Sequence, residues 1–176
     1  MGIIIPKIYP AEIDIIDFPI IFLAGPIKGA PNWQSEAAKI LLSREPSLVI
    51  ASPRKELGED LNQFLISGRN GVFPRQRTWE RYYLDLASKT GAILFWLPGQ
   101  AYFTPKKIYS AMTRLELGQW MANYRNDNSV RFCVGSDGNF PELDVIRYDL
   151  SQEAPDKEIK RTLEETCLEA LRIANP

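Results

Sequence analysis

Two uninterrupted apolar runs limit what this chain can fold into. Pro19-Ile20-Ile21-Phe22-Leu23-Ala24 stops at Gly25-Pro26, and Ala92-Ile93-Leu94-Phe95-Trp96-Leu97 stops at Pro98-Gly99. A strand with one wet face alternates apolar and polar residues, and these runs offer water no polar face. They read as central strands of a parallel sheet, covered on both sides.

Leu48-Val49-Ile50-Ala51, closed by Ser52-Pro53, predicts another strand, as do 130–135 and Val145-Ile146-Arg147-Tyr148. Helical spacing predicts helices over 33–43, 75–90, 110–122 and 153–174, the last with Ile159, Leu163, Cys167, Leu168 and Leu171 as its buried stripe. Strands alternating with helices predict an α/β fold: a Rossmann-like or flavodoxin-like, doubly wound, five-stranded parallel sheet with helices on both faces. Residues 1–18, with Gly2-Ile3-Ile4-Ile5 and Ile13-Asp14-Ile15-Ile16 broken by Pro6 and Pro10, read as an edge strand or as an arm over a partner subunit. Residues 54–74 form a long polar connection around Gly58, Gly68 and Gly71, with a helical turn at 61–66. Such a length suits a lid, a binding loop or a plain surface excursion. In a sheet of this kind the ligand crevice lies at the carboxyl ends of the strands, so the loops after Ala24, Ala51 and Leu97 open on it.

The 176 residues suffice for one domain spanning 1–176. A formal charge of −1 gives no general attraction for nucleic acid or an anionic membrane, and neither is expected as a partner. Cys133 and Cys167 have no metal-ligand spacing and read as small core residues of a reduced compartment. No apolar run reaches membrane-spanning length and residues 2–5 are too short for a signal segment, so the cytoplasm is the expected location. The chain has no histidine. That removes the usual general base, the Ser-His and Cys-His pairs and most zinc sites, so the chemistry must rest on carboxylates, hydroxyls, Arg and Lys, with no metal or cofactor expected.

Glu116 stands out among the carboxylates. At helical spacing it lies between Met112 and Trp120, and the residues three and four positions away are Met112, Thr113, Gln119 and Trp120, none of them basic. A charge there reaches solvent, pairs with an Arg from another element, or works as a catalytic group. Asp85, with Arg81 and Lys89 four residues to either side, reads by spacing as part of a solvated ion-pair face. Trp79 lies on one helical side with Tyr83 and Leu86, as a core residue or a base-stacking one; Arg77 and Glu80 read as base-edge contacts or surface pairs.

Residues 21–27 (Ile-Phe-Leu-Ala-Gly-Pro-Ile), 82–94 (Tyr-Tyr-Leu-Asp-Leu-Ala-Ser-Lys-Thr-Gly-Ala-Ile-Leu) and 113–118 (Thr-Arg-Leu-Glu-Leu-Gly), in this order and spacing, resemble the three motif blocks of the nucleoside 2-deoxyribosyltransferase superfamily. The resemblance runs from about Ile20 to Gly135. It implies transfer of a deoxyribosyl group between nucleobases, with Glu116 as nucleophile and Asp85 as the acid that protonates or holds the departing base. It further implies that Gly25 and Pro26 approach the sugar, that Trp33, Arg77, Trp79, Glu80 and Ser110 contact substrate, that nucleosides and nucleobases are the partners, and that the chain forms a homo-oligomer. Two positions depart from the family pattern. Ser110, which also reads as a helix N-cap, stands six residues before Glu116 where many members carry Asp, and Ile21, Phe22 and Leu23 offer no hydroxyl where members often have Tyr. Hydrolysis of nucleosides or nucleoside 5'-monophosphates, with Lys28, Arg54 or Lys106 as phosphate donors, and noncatalytic nucleotide sensing are the alternative functions.

Overall fold

The computed structural model describes residues 3–5, 19–54 and 72–175, with the side chains of 3–5 and 72–76 excepted. Eleven elements follow in order: β1 (Ile3–Ile5), β2 (Ile20–Ala24), α1 (Trp33–Arg44), β3 (Val49–Ala51), α2 (Val72–Thr90), β4 (Ala92–Leu97), α3 (Ala111–Asn126), β5 (Phe132–Ser136), α4 (Leu143–Glu153), β6 (Ile159–Lys160) and α5 (Leu163–Ala174). The sheet runs β1-β3-β2-β4-β5-β6, and every pairing is parallel. With β1 set aside, this is the 2-1-3-4-5 strand order of flavodoxin-like sheets, whose order reverses between β2 and β4.

The two apolar runs occupy the centre, as their composition requires. Every residue of β2 and β4 is buried, on both faces. Register places Phe22, Ile93, Phe95 and Phe132 on one face, where Trp79 of α2 packs on Phe22 with ring centroids 5.9 Å apart and Tyr124 of α3 meets Phe132 at 5.6 Å. On the other face Cys133 approaches the Thr166 carbonyl of α5, and Cys167 of α5 reaches the Ala37 carbonyl of α1. Helices thus cover both faces, and the buried residues form one core cluster. Both cysteines are free and buried.

Five strands have three or more residues, and β6 adds a two-residue edge. The set differs from the sequence expectation in two places. Residues 145–148, read as a strand, lie inside α4. There Leu143, Ile146 and Leu150 are buried at helical spacing while Val145 and Tyr148 are 58% and 66% exposed, so period decides against β-branched composition. The single helix expected over 153–174 is divided into the end of α4, β6 and α5. Thr162 starts α5 with a capping box: its hydroxyl accepts from Glu165 N at 3.1 Å and Glu165 Oε2 accepts from Thr162 N at 3.1 Å. The buried stripe of α5 is Leu163, Thr166, Cys167, Ala170 and Ala174, with Leu168 turned out at 42% exposure and Ile159 in β6 instead. Ile3–Ile5 pairs with β3 as the edge-strand reading expected. Residues 55–71, with the turn expected at 61–66, and residues 6–18 lie outside the described residues. No helix among the described residues is long and apolar enough to cross a membrane.

Candidate active site

The carboxyl ends of β2 and β4 open into a cleft of about 560 Å³ at the strand-order reversal. Its floor is Phe22, Ala24, Gly25 and Pro26; Glu80 of α2, the first turn of α3 with Glu116, and Tyr102, Thr104, Lys107 and Ile108 of the β4–α3 loop form its walls.

Gly25 makes the turn out of β2 feasible. A Cβ there would lie 2.6 Å from Trp33 Cζ2 and would strike the Trp96 carbonyl, so no side chain fits. Trp33 stands behind this turn, 2% exposed, and its Nε1 donates to the Pro26 carbonyl at 2.9 Å. It positions the backbone that lines the cleft and is not itself among the residues lining it. Arg54 has a similar task. Its Nη2 donates to the Ile27 carbonyl at 3.1 Å and its Nη1 to the Pro31 carbonyl at 3.4 Å, so this expected phosphate donor braces the β2–α1 loop. The Gly29 carbonyl then accepts from Ala101 N at 2.7 Å, tying that loop to the one after β4.

Glu116 lies at the border of the buried stripe of α3, which is Thr113, Leu117, Trp120 and Met121. Its side chain is 12% exposed and faces the cleft. The Arg from another element is Arg77 of α2, whose Nη1 donates to Glu116 Oε1 and also to Glu80 Oε2, the latter at 3.1 Å. One guanidinium nitrogen therefore bridges two carboxylates beside the cavity. Burial pushes the Glu116 carboxyl above its ordinary value; the hydrogen bond and charge of Arg77 oppose that rise, and the charge of Glu80 adds to it. For Arg77, burial works against the charged form, but the bonds to Glu116 and then Glu80 outweigh it and its value is raised.

Asp85 is elsewhere. It is five residues beyond Glu80, about 140° around the helix at 100° per residue, and its side chain is 59% exposed with Lys89 Nζ at 2.7 Å. The spacing had suggested this ion pair, and the motif block had suggested the acid; the structure places Asp85 on the outer face, away from the cleft. Trp79 is 1% exposed and packed between Phe22 and Tyr83, on the core side of its two readings.

Ser110 lines the cleft but does not cap α3. It sits at φ 57° and ψ 22°, in the left-handed region, makes no capping bond, and its Oγ is buried with no partner among the described residues. Lys28 and Lys107 line the same cleft. Lys107 is held below its ordinary value, first by a hydrogen bond to Lys28 and then by the like charge. Sequence had pointed to Lys106 in place of Lys107, because two adjacent lysines in a loop do not reveal which one faces inward. No family model and no curated protein matches this chain.

With Glu116 favouring its proton more than an ordinary carboxyl, any reaction that uses the carboxylate gains rate as pH rises through that elevated value. Removing the Arg77 cation takes away the opposing influence. The Arg77→Met variant should therefore show the acid limb of the Glu116 carboxyl titration at higher pH than the wild type, followed by carboxyl-carbon NMR. An unmoved or lowered limb would mean that Arg77 does not tune Glu116.

Proposed function

We propose that the chain is a pentosyltransferase that exchanges the base of 2'-deoxyribonucleosides through a covalent deoxyribosyl-Glu116 intermediate. The observation that carries this reading is the desolvated Glu116 carboxylate at the cleft wall, sharing Arg77 with a second carboxyl group, Glu80. The motif resemblance supplies the substrate class, and the cleft supplies a place for it.

In the first half-reaction a Glu116 oxygen attacks the anomeric carbon, the C–N glycosidic bond breaks, and its electron pair leaves with the base. Glu80, not Asp85, is the carboxyl group in the cleft, and we assign it the proton given to the departing base nitrogen. In the second half the incoming base attacks the same carbon from the vacated face, the ester C–O bond breaks, Glu116 is regenerated as carboxylate, and the proton of the incoming base returns to Glu80. Two inversions preserve the configuration of the sugar. The negative charge of Glu116 favours the oxocarbenium-like transition state, and Arg77 orients the group and opposes the rise that burial gives its carboxyl. Arg77 also takes over the orienting task that the missing Tyr would perform. A homo-oligomer belongs to this reading as an expectation from the family.

Incubation of the protein with a deoxynucleoside, with and without a second base, tests it by chromatography of the products. A new nucleoside is the expected result. Free base released at the same rate with or without acceptor would replace transfer by hydrolysis. Binding without turnover would reject both in favour of a sensor.

A further inference from the structure

Part of the cleft lining is apolar and exposed. Tyr102, Ile108 and Met112 all line it, Tyr102 at 55% exposure and the other two also more than half exposed. Apolar residues scattered singly over a surface need no reason, but three around one cavity, one of them aromatic, are the lining a small-molecule site has. The aromatic residues that the sequence suggested for a base are elsewhere. Trp33 and Trp79 are buried outside the lining, and Phe22, in the cleft floor, is 1% exposed. Tyr102 is therefore the aromatic side chain among the described lining residues with area to offer a flat ligand.

The backbone under Tyr102 is braced. The Gly29 carbonyl accepts from Ala101 N at 2.7 Å and from Tyr102 N at 3.3 Å, and Gln100 Nε2 donates to the Tyr102 carbonyl at 3.0 Å. Just upstream, Gly99 N donates to the Asp137 carboxylate at 3.0 Å, and Tyr109 Oη donates to the Pro98 carbonyl at 2.8 Å. The ring thus stands on a loop tied both to the turn after β2 and to the turn after β5. A tyrosine side chain has few torsions to fix, so on such a base little entropy is lost when a flat molecule settles against it.

We propose that Tyr102 is the platform on which the nucleobase stacks, with Ile108 and Met112 packing at its edges, so that the β4–α3 loop sets base preference and favours purines over pyrimidines. The identity of the ligand rests on the glycosyl-transfer reading; the platform itself rests on the lining of the cleft. A face-on contact responds to ring area and not to the pattern of donors and acceptors, and the larger ring system of a purine covers more of the tyrosine ring. Tyr102 acts by binding and takes no part in bond breaking.

Free bases test the platform without turnover. Adenine and cytosine are titrated into the whole chain and into its Tyr102→Phe and Tyr102→Ala variants, with isothermal titration giving affinity and proton NMR giving the ring-current shift of the base. The wild type and Tyr102→Phe are expected to bind adenine alike, to move its ring protons upfield, and to bind it tighter than cytosine. Tyr102→Ala is expected to bind adenine about 10-fold or more weaker and without the upfield shift. Affinity in Tyr102→Ala within about twofold of the wild type would overturn the proposal. Equal losses in Tyr102→Phe and Tyr102→Ala would overturn it too, because the hydroxyl and not the ring face would then be the contact. Cytosine binding as tightly as adenine, or neither base binding the wild type, would also overturn it. If adenine binds on the expected pattern while deoxynucleosides undergo neither exchange nor hydrolysis, the platform stands and the transferase reading falls. If exchange proceeds in Tyr102→Ala with an unchanged KM for the acceptor base, the transferase reading stands and the platform falls.

Discussion

Glu116→Gln is expected to lower the rate of base exchange by about 1,000-fold or more while the protein still folds and binds its substrate. The amide matches the carboxylate in shape and retains an oxygen that can accept from Arg77, so the bridge between α2 and α3 keeps its geometry. It cannot form a stable ester with the anomeric carbon, and Glu80, the other carboxyl group among the described residues lining the cleft, belongs to α2 and is assigned the proton transfer. Loss of a nucleophile has no partial substitute when the route is covalent, which separates this effect from the smaller losses caused by misplaced contacts. Two measurements decide it: the exchange rate of the variant, and the mass of denatured wild-type protein quenched during turnover, which should include a deoxyribosyl adduct on the peptide containing Glu116. A variant within about tenfold of wild type would reduce Glu116 to one end of a structural ion pair and refute the mechanism.

Gly91→Ala is expected to give the largest loss of stability of any single methyl group added outside the site. Gly91 joins α2 to β4, its N–H donating to the Ala87 carbonyl at 3.0 Å. A Cβ would lie 2.6 Å from both the Ile20 C and N atoms and would strike the Ile20 carbonyl oxygen. Those are backbone atoms at the start of a fully buried central strand, so the overlap cannot be relieved by a side-chain rotation. The expected cost is about 3 kcal/mol, the upper end for overpacking, which for a chain of this length lowers Tm by roughly 10 °C. Gly118 is the matched control. It lies inside α3, with nothing within 4 Å of an added Cβ, and Gly118→Ala should raise stability by about 0.5–1 kcal/mol through helix propensity. Thermal unfolding of the two variants beside the wild type reads both signs, and equal Tm values for all three would contradict the packing seen around β2.

Burial of the sheet centre was legible in the chain because composition there is local. Residues 20–24 and 92–97 contain no polar side chain and end on Gly and Pro, so only a doubly covered parallel strand accommodates them. Residues 145–148 were misleading for the same local reason. Val, Ile and Tyr suggest a strand, yet one more turn of sequence on either side places Leu143, Ile146 and Leu150 on one helical face. The Thr162–Glu165 capping box was readable as a start signal for α5, and an apolar stripe drawn across it joined elements that the chain separates.

The sequence by itself determined that the chain would form a parallel α/β sheet, that the loops after β2 and β4 would share a crevice, and that Glu116 has no basic residue three or four positions away on its own helix. Each of these depends on residue type and spacing along one element. Tertiary structure decided that the partner is Arg77, that Glu80 and not Asp85 faces the cavity, and that Lys28 and Lys107 line the same cleft. Those outcomes depend on the rotation of α2 about its axis against β2 and on how two loops are tied at Gly29. Such angles are set by packing among residues distant in the chain, and no spacing within α2 or within either loop encodes them.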